Sequence, residues 1–139
     1  MQPFPVPSGP FDTITLDLVS LPTTQDGHNA AVVFVDKFSK YVVIEPCSKE
    51  VTAPDLADIF IRSVYSHFGL PASILSDRGS VFTSNYWSAF FDHLSVRLQL
   101  TTPYHPQTDG QTEVANRTLI SVLRAHATTW DRTLKIAQF

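Results

Sequence analysis

The hydrophobic period of this chain changes once, near residue 50, and that change constrains the fold more than any single residue does. Before it, three short segments carry strand patterning. In "FDTITLDLVSL" (11–21), Ile14, Leu16 and Leu18 share one face, and Thr13, Thr15, Asp17 and Val19 share the other. "QDGHN" (25–29) is a turn, and "AAVVFVD" (30–36) is an apolar, β-branched second strand. "KFSK" then turns the chain into "YVVIEPC" (41–47), which predicts an antiparallel meander. After residue 50, helix and strand alternate. Thr52 is an N-cap with Asp55 at N3, Pro54 sits in the permissive first turn, and Gly69 closes the helix. Leu56, Ile59, Phe60, Ile61 and Val64 form its apolar face. "ASILS" (72–76) is a fourth strand ending at Asp77, and Ser84 opens a second helix with Trp87, Phe90, Phe91 and Leu94 at i, i+3, i+4 and i+7. "VRLQL" (96–100) is a fifth strand. A Pro/Gly loop then leads to a long helix from about 110 to 129, with Ala115, Leu119, Val122 and His126 on its buried side. The order β-β-β-α-β-α-β-α predicts an α/β fold: a mixed five-stranded sheet flanked by helices.

Length and composition narrow the class. At 139 residues, with 43% hydrophobic and 17% charged residues, the chain is expected to form one globular domain. No apolar run reaches the ~20 residues of a membrane span, and "MQPFPVPSGP" has neither the basic nor the apolar region of a signal peptide. Residues 1–10 read as a Pro-rich lead-in or linker, and 11–139 as the domain. The final "LKIAQF" starts an apolar stretch and stops, as if cut within a larger protein. The single cysteine, Cys47, leaves no internal disulfide or Cys-rich zinc site, and it reads as a small buried hydrophobe in a reducing compartment. Net charge is −3, with the first seventy residues acidic and the remainder slightly basic. That balance is not the basic one of a dedicated nucleic-acid binder. A polyanionic partner would need local basic groups, metal ions or further domains to grip it.

Three acids stand at telling positions. Asp17 lies inside a strand between Leu16 and Leu18, where an ionised carboxylate is costly unless it is paired or binds a metal; the plainer alternative is a solvated face or a pairing with a lysine. Asp77 lies just past the carboxyl end of the fourth strand, the edge where α/β sheets place ligand sites, although "SDRGS" also suits an Asx-turn. Glu113 opens the last helix, where the helix dipole and Arg117 at i+4 would favour it in any case. Between Asp77 and Glu113 lie 35 residues. In context and spacing, Asp17, Asp77 and Glu113 resemble the D,D-35-E pattern of retroviral and long-terminal-repeat retrotransposon integrases. "LPASILSDRGSVFTSNYW" and "TPYHPQTDGQTEVANRTL" resemble the gypsy class in particular, and the likeness runs from about Phe11 to Trp130.

This resemblance implies an RNase H-like catalytic core in which the first and fourth strands are neighbours and the last helix delivers Glu113. Asp17, Asp77 and Glu113 would then be both catalytic residues and metal ligands. Hard oxygen donors select Mg²⁺ or Mn²⁺, and two such ions about 4 Å apart would clamp a scissile phosphate. The implied activity is a metal-dependent polynucleotidyl transferase that trims the 3′ ends of element DNA and joins them to target DNA by 3′-hydroxyl attack. Its implied partners are DNA and further copies of the chain, as a homodimer or higher oligomer, in the nucleus after a cytoplasmic pre-integration stage. His105 and Gln107 in the loop match family positions near DNA ends. Asn116, Arg117 and Arg124 on the last helix, with Arg78 beside Asp77, complete the DNA-binding candidates, while loop solvation and salt-bridged helix faces remain alternatives. Val81 and Val114 depart from the family pattern toward weaker DNA contact. With no flanking domains present, the isolated chain is expected to bind DNA weakly and with steep salt dependence. An RNase H-type nuclease and an inactive, domesticated binding module are the competing functions.

Overall fold

Five strands form one sheet whose order, β3-β2-β1-β4-β5, follows from where the apolar side chains can be buried. The computed structural model of the chain describes Gly9, residues 11–100, Ser121 and Ala125. Apart from Ser121 and Ala125, both helical, the predicted last helix and its loop, with His105, Gln107, Glu113, Asn116, Arg117 and Arg124, lie outside the described residues. The meander is β1 (Thr13–Ser20), β2 (Ala30–Asp36) and β3 (Val42–Cys47), with antiparallel registers that include Leu16↔Phe34 and Val33↔Ile44. Then β4 (Ser73–Ser76) pairs parallel to β1, and β5 (Arg97–Leu100) parallel to β4. β2 is buried at every position, which is why "AAVVFVD" lacks alternation: a central strand covered on both faces needs apolar residues on both.

The two faces carry separate clusters. On one, Ile14, Leu16, Val32, Phe34 and Ile74 pack with Leu56, Ala57, Phe60, Val64, Trp87 and Phe91 from the helices. On the other, Leu21, Ala31, Val33, Val35 and Ile44 group with Val19 and Val42, all from the meander. The helical layer holds α1 (Ala53–Phe60), a π-helical turn at Ile61–Tyr65, α2 (Ser66–Phe68) and α3 (Asn85–His93). Both predicted caps form: Thr52 Oγ1 accepts from the Asp55 N–H at 3.3 Å, and Ser84 Oγ from the Trp87 N–H at 3.2 Å. Gly69 ends the first helix at φ +82°, a conformation that glycine adopts without cost. Trp87 meets Phe91 edge-on at 4.7 Å and Phe91 meets Phe60 at 5.1 Å, so aromatic contacts join α1 to α3.

One expected core position is corrected. Ile61 is 39% exposed. It lies about 140° around the helix from Leu56, off the buried stripe, and it begins the π-helical turn. No helix among the described residues is long and apolar enough to cross a membrane.

Candidate active site

The parallel pairing of β1 with β4 positions the two described acids. Its register runs Thr13↔Ser73, Ile14↔Ile74, Thr15↔Leu75 and Leu16↔Ser76. Asp17 is the next residue of β1, and Asp77 is the first residue past β4. Neighbouring strands lie about 4.8 Å apart, so the pairing carries these two residues to the same level on adjacent chains. Sixty residues of sequence separate them, and only the crossover through the helical layer closes that gap.

Alternation sets the face. Leu16 belongs to the helix-side cluster and is fully buried, so Asp17 falls on the opposite face, opposite Val33 of β2. There it is exposed. Of the alternatives open for Asp17, the exposed face is the one observed. It shares its face with Thr13 and Thr15, whose polar character marks that side of β1. Thr13 is itself held by Ser73 across the β1–β4 seam, with their hydroxyls 3.2 Å apart.

Asp77 is also exposed, and its Oδ1 accepts the Gly79 N–H at 2.8 Å. That is the Asx-turn anticipated for "SDRGS". It does not exhaust the group, because an ionised carboxylate offers about four acceptor positions and the turn takes one. The loop beyond is ordered by the Gly79 carbonyl, which accepts from the Phe82 and Thr83 N–H groups at 2.9 and 3.1 Å, and by Phe82, which is buried. Val81 packs partly against the helix-side cluster, so its apolar character has a structural cause. Arg78 is exposed between Asp77 and Gly79.

Gly79 is a residue that the sequence reading passed over. A β-carbon there would stand 3.1 Å from Asp77 Oδ1, closer than side chains normally approach, so the glycine leaves room for the carboxylate. The available signal was the D-x-G spacing itself. Cys47 lies elsewhere in the core, and burial pushes its thiol up to about 11, which leaves it without nucleophilic character near neutral pH.

Two exposed carboxylates at one level of neighbouring strands are hard oxygen donors of the kind that suit Mg²⁺ or Mn²⁺. Among the described residues no group of three or more His, Cys, Asp or Glu converges on one point. The third expected ligand, Glu113, is outside them.

Comparison with known proteins identifies the class. Residues 7–106 match the family described as "Integrase core domain", and the chain belongs to that family. Its relatives include the Transposon Tf2-3 and Tf2-4 polyproteins of Schizosaccharomyces pombe, each 35% identical over 142 residues. Those alignments take in 99% of this chain and 11% of each polyprotein, so the chain spans about a tenth of their length. Among solved structures, the catalytic core domain of BIV integrase aligns with a TM-score of 0.72 at 23% identity, covering 91% of this chain and 80% of that one. The HTLV-2 integrase catalytic core domain, in complex with magnesium and in dimeric form, aligns at 0.66 and 20%, covering 87% and 74%. The fold is therefore RNase H-like, as these cores are. Within that class, the chain is the core domain of an integrase of the retrotransposon and retroviral type.

Proposed function

We propose that this domain trims the 3′ ends of element DNA and joins them to target DNA, with Asp17, Asp77 and Glu113 as the ligands of two divalent ions. The observation that carries this reading is the β1–β4 register, which brings Asp17 and Asp77 level on neighbouring segments, both of them exposed. The bound Mg²⁺ or Mn²⁺ would supply Lewis-acid activation of the attacking hydroxyl and charge stabilisation at the leaving oxygen. The chain's own contribution is to hold Asp17 within β1 and Asp77 at the end of β4, strands fixed by their pairing and by the buried core around Leu16. Arg78, next to Asp77 on an ordered loop, is suited to a phosphate oxygen. His105, Gln107, Asn116, Arg117 and Arg124 are proposed to grip the DNA end, and a homodimer or higher oligomer to hold two ends for joining. Action in the nucleus is part of the same proposal.

Strand transfer on a branched DNA substrate in Mg²⁺ or Mn²⁺ tests the reading. The wild-type chain is expected to act, and Asp17→Asn, Asp77→Asn and Glu113→Gln each to abolish the reaction. Retained activity in any of these variants would remove that residue from the metal site. A folded wild type that binds DNA without cutting or joining it would instead be a binding module.

A further inference from the structure

Exposed apolar side chains gather where β1 and β3 begin. Phe11 stacks on Phe68 with ring centroids 3.9 Å apart and planes 8° from parallel, and Tyr41 meets both rings edge-on at 5.9 and 5.7 Å. Six large apolar side chains are exposed among the described residues, and four of them belong to segments that meet at this cluster. Phe38 shares the β2–β3 turn with Tyr41, Tyr65 stands three residues before Phe68 on the helix, and Leu70 follows Phe68 by two. Their exposures run from 40% at Tyr41 to 54% at Phe38. Large apolar groups scattered singly over a surface need no explanation, whereas a group of them is the usual mark of an interaction site.

The chain enters the domain through this patch. The Gly9 carbonyl accepts the Asp12 N–H at 3.3 Å, closing a four-residue turn, and Phe11 within it takes a φ of +57°. A phenylalanine in that left-handed region is strained, and its stack on Phe68 helps to hold it there. A turn of this kind reverses the direction of the chain. The residues before it, "MQPFPVPS", lie outside the described ones, but their composition is informative. They hold no charged side chain, and Pro3, Pro5 and Pro7 alternate with Phe4 and Val6. Proline fixes φ and lacks an N–H, so such a segment loses little freedom on docking and has no backbone donor to satisfy at every second position. Aromatic grooves recognise polyproline II segments on these grounds.

We propose that residues 3–7 dock as a polyproline II strand on this patch of the same chain, the turn at residues 9–12 folding them back onto it. At about 3.1 Å per residue the segment spans roughly 15 Å, enough to cross a cluster whose rings lie 3.9 to 5.9 Å apart. Docked, the lead-in leaves the domain from a fixed place instead of swinging as a free linker. Nuclear magnetic resonance on the full chain tests this. Amide order parameters at Phe4, Val6 and Ser8 are expected at about 0.8, close to those of rigid backbone, with nuclear Overhauser contacts from the proline and Val6 protons to the rings of Tyr41 and Tyr65. Tyr65→Ser, at an exposed position, should lower those order parameters to about 0.6 or less, and Tyr86→Ser on α3 should leave them unchanged. Wild-type values below about 0.6, no loss in Tyr65→Ser, or an equal loss in both tyrosine variants overturns the proposal. Mixing isotope-labelled with unlabelled chain separates contacts within one chain from contacts between two. Contacts found only between chains would give the patch to a second copy and overturn it as well.

Discussion

Two aspartates at opposite ends of the sheet have opposite fates, and the contrast separates structure from function. Asp36, at the end of β2, is 1% exposed, and its carboxylate is consumed locally. Oδ1 accepts from the Phe38 N–H at 3.2 Å, while Oδ2 accepts from the Ser39 N–H at 3.1 Å and the Ser39 hydroxyl at 2.6 Å. That acid closes a turn and has little capacity left for anything else. Asp77, at the end of β4, is exposed and uses one oxygen for one turn hydrogen bond. A strand-end aspartate that keeps acceptor positions facing solvent, next to a second exposed carboxylate, is the one equipped to hold a cation.

The largest expected effect lies at the acid end. Losing partners one shell beyond a metal typically costs 10–100-fold, so Asp77→Asn, which would remove a proposed ligand itself, should lower strand transfer by roughly a hundredfold or more. Its thermal unfolding should stay within about 0.5 kcal/mol of wild type, because asparagine can make the same Asx-turn. Asp36→Ala should invert this pattern. It strands donors around a buried turn, so a loss of about 1–3 kcal/mol is expected in denaturant titration, with activity per folded molecule unchanged. A variant at residue 36 that lost activity without losing stability would erase the distinction between the two ends.

Smaller changes sharpen it. Gly79→Ala places a methyl group against Asp77 Oδ1, and a carboxylate displaced by a few tenths of an ångström should slow strand transfer about tenfold with little change in melting. The smallest effect concerns Cys47, whose thiol is raised by burial from 9.0 to about 11. The folded state favours the neutral thiol, so this contribution to stability is present below pH 9 and lost as pH rises toward about 11. Melting curves across that window should show the decline in wild type and a shallower one in Cys47→Ala, with no change in activity at neutral pH.

Local chemistry made much of the fold legible. Thr52 and Ser84 were readable as caps because capping needs only a side-chain oxygen and the next few N–H groups. β2 was readable because a strand buried on both faces has few polar options. What depends on long-range packing was harder to read. Ile61 looked like core because it adjoins Ile59 and Phe60, yet its place around the helix turns it outward. The exposure of Asp17 was left open by its place between two leucines, although Thr13 and Thr15 share its face of β1. The proximity of Asp17 and Asp77 is set by β1–β4 pairing across the crossover, which no local window contains. Resemblance to integrases supplied that pairing in advance. The role of Gly79 became visible only with coordinates, through its close approach to Asp77.

Binding of Mn²⁺ to the wild type, Asp17→Asn, Asp77→Asn and the double variant, followed by electron paramagnetic resonance, tests most directly whether the two acids act as one site. The account predicts that either single substitution removes most of the high-affinity signal and that the second adds little, the non-additivity expected of residues sharing a ligand. Wild-type affinity in either single variant, or losses that simply add, would contradict it.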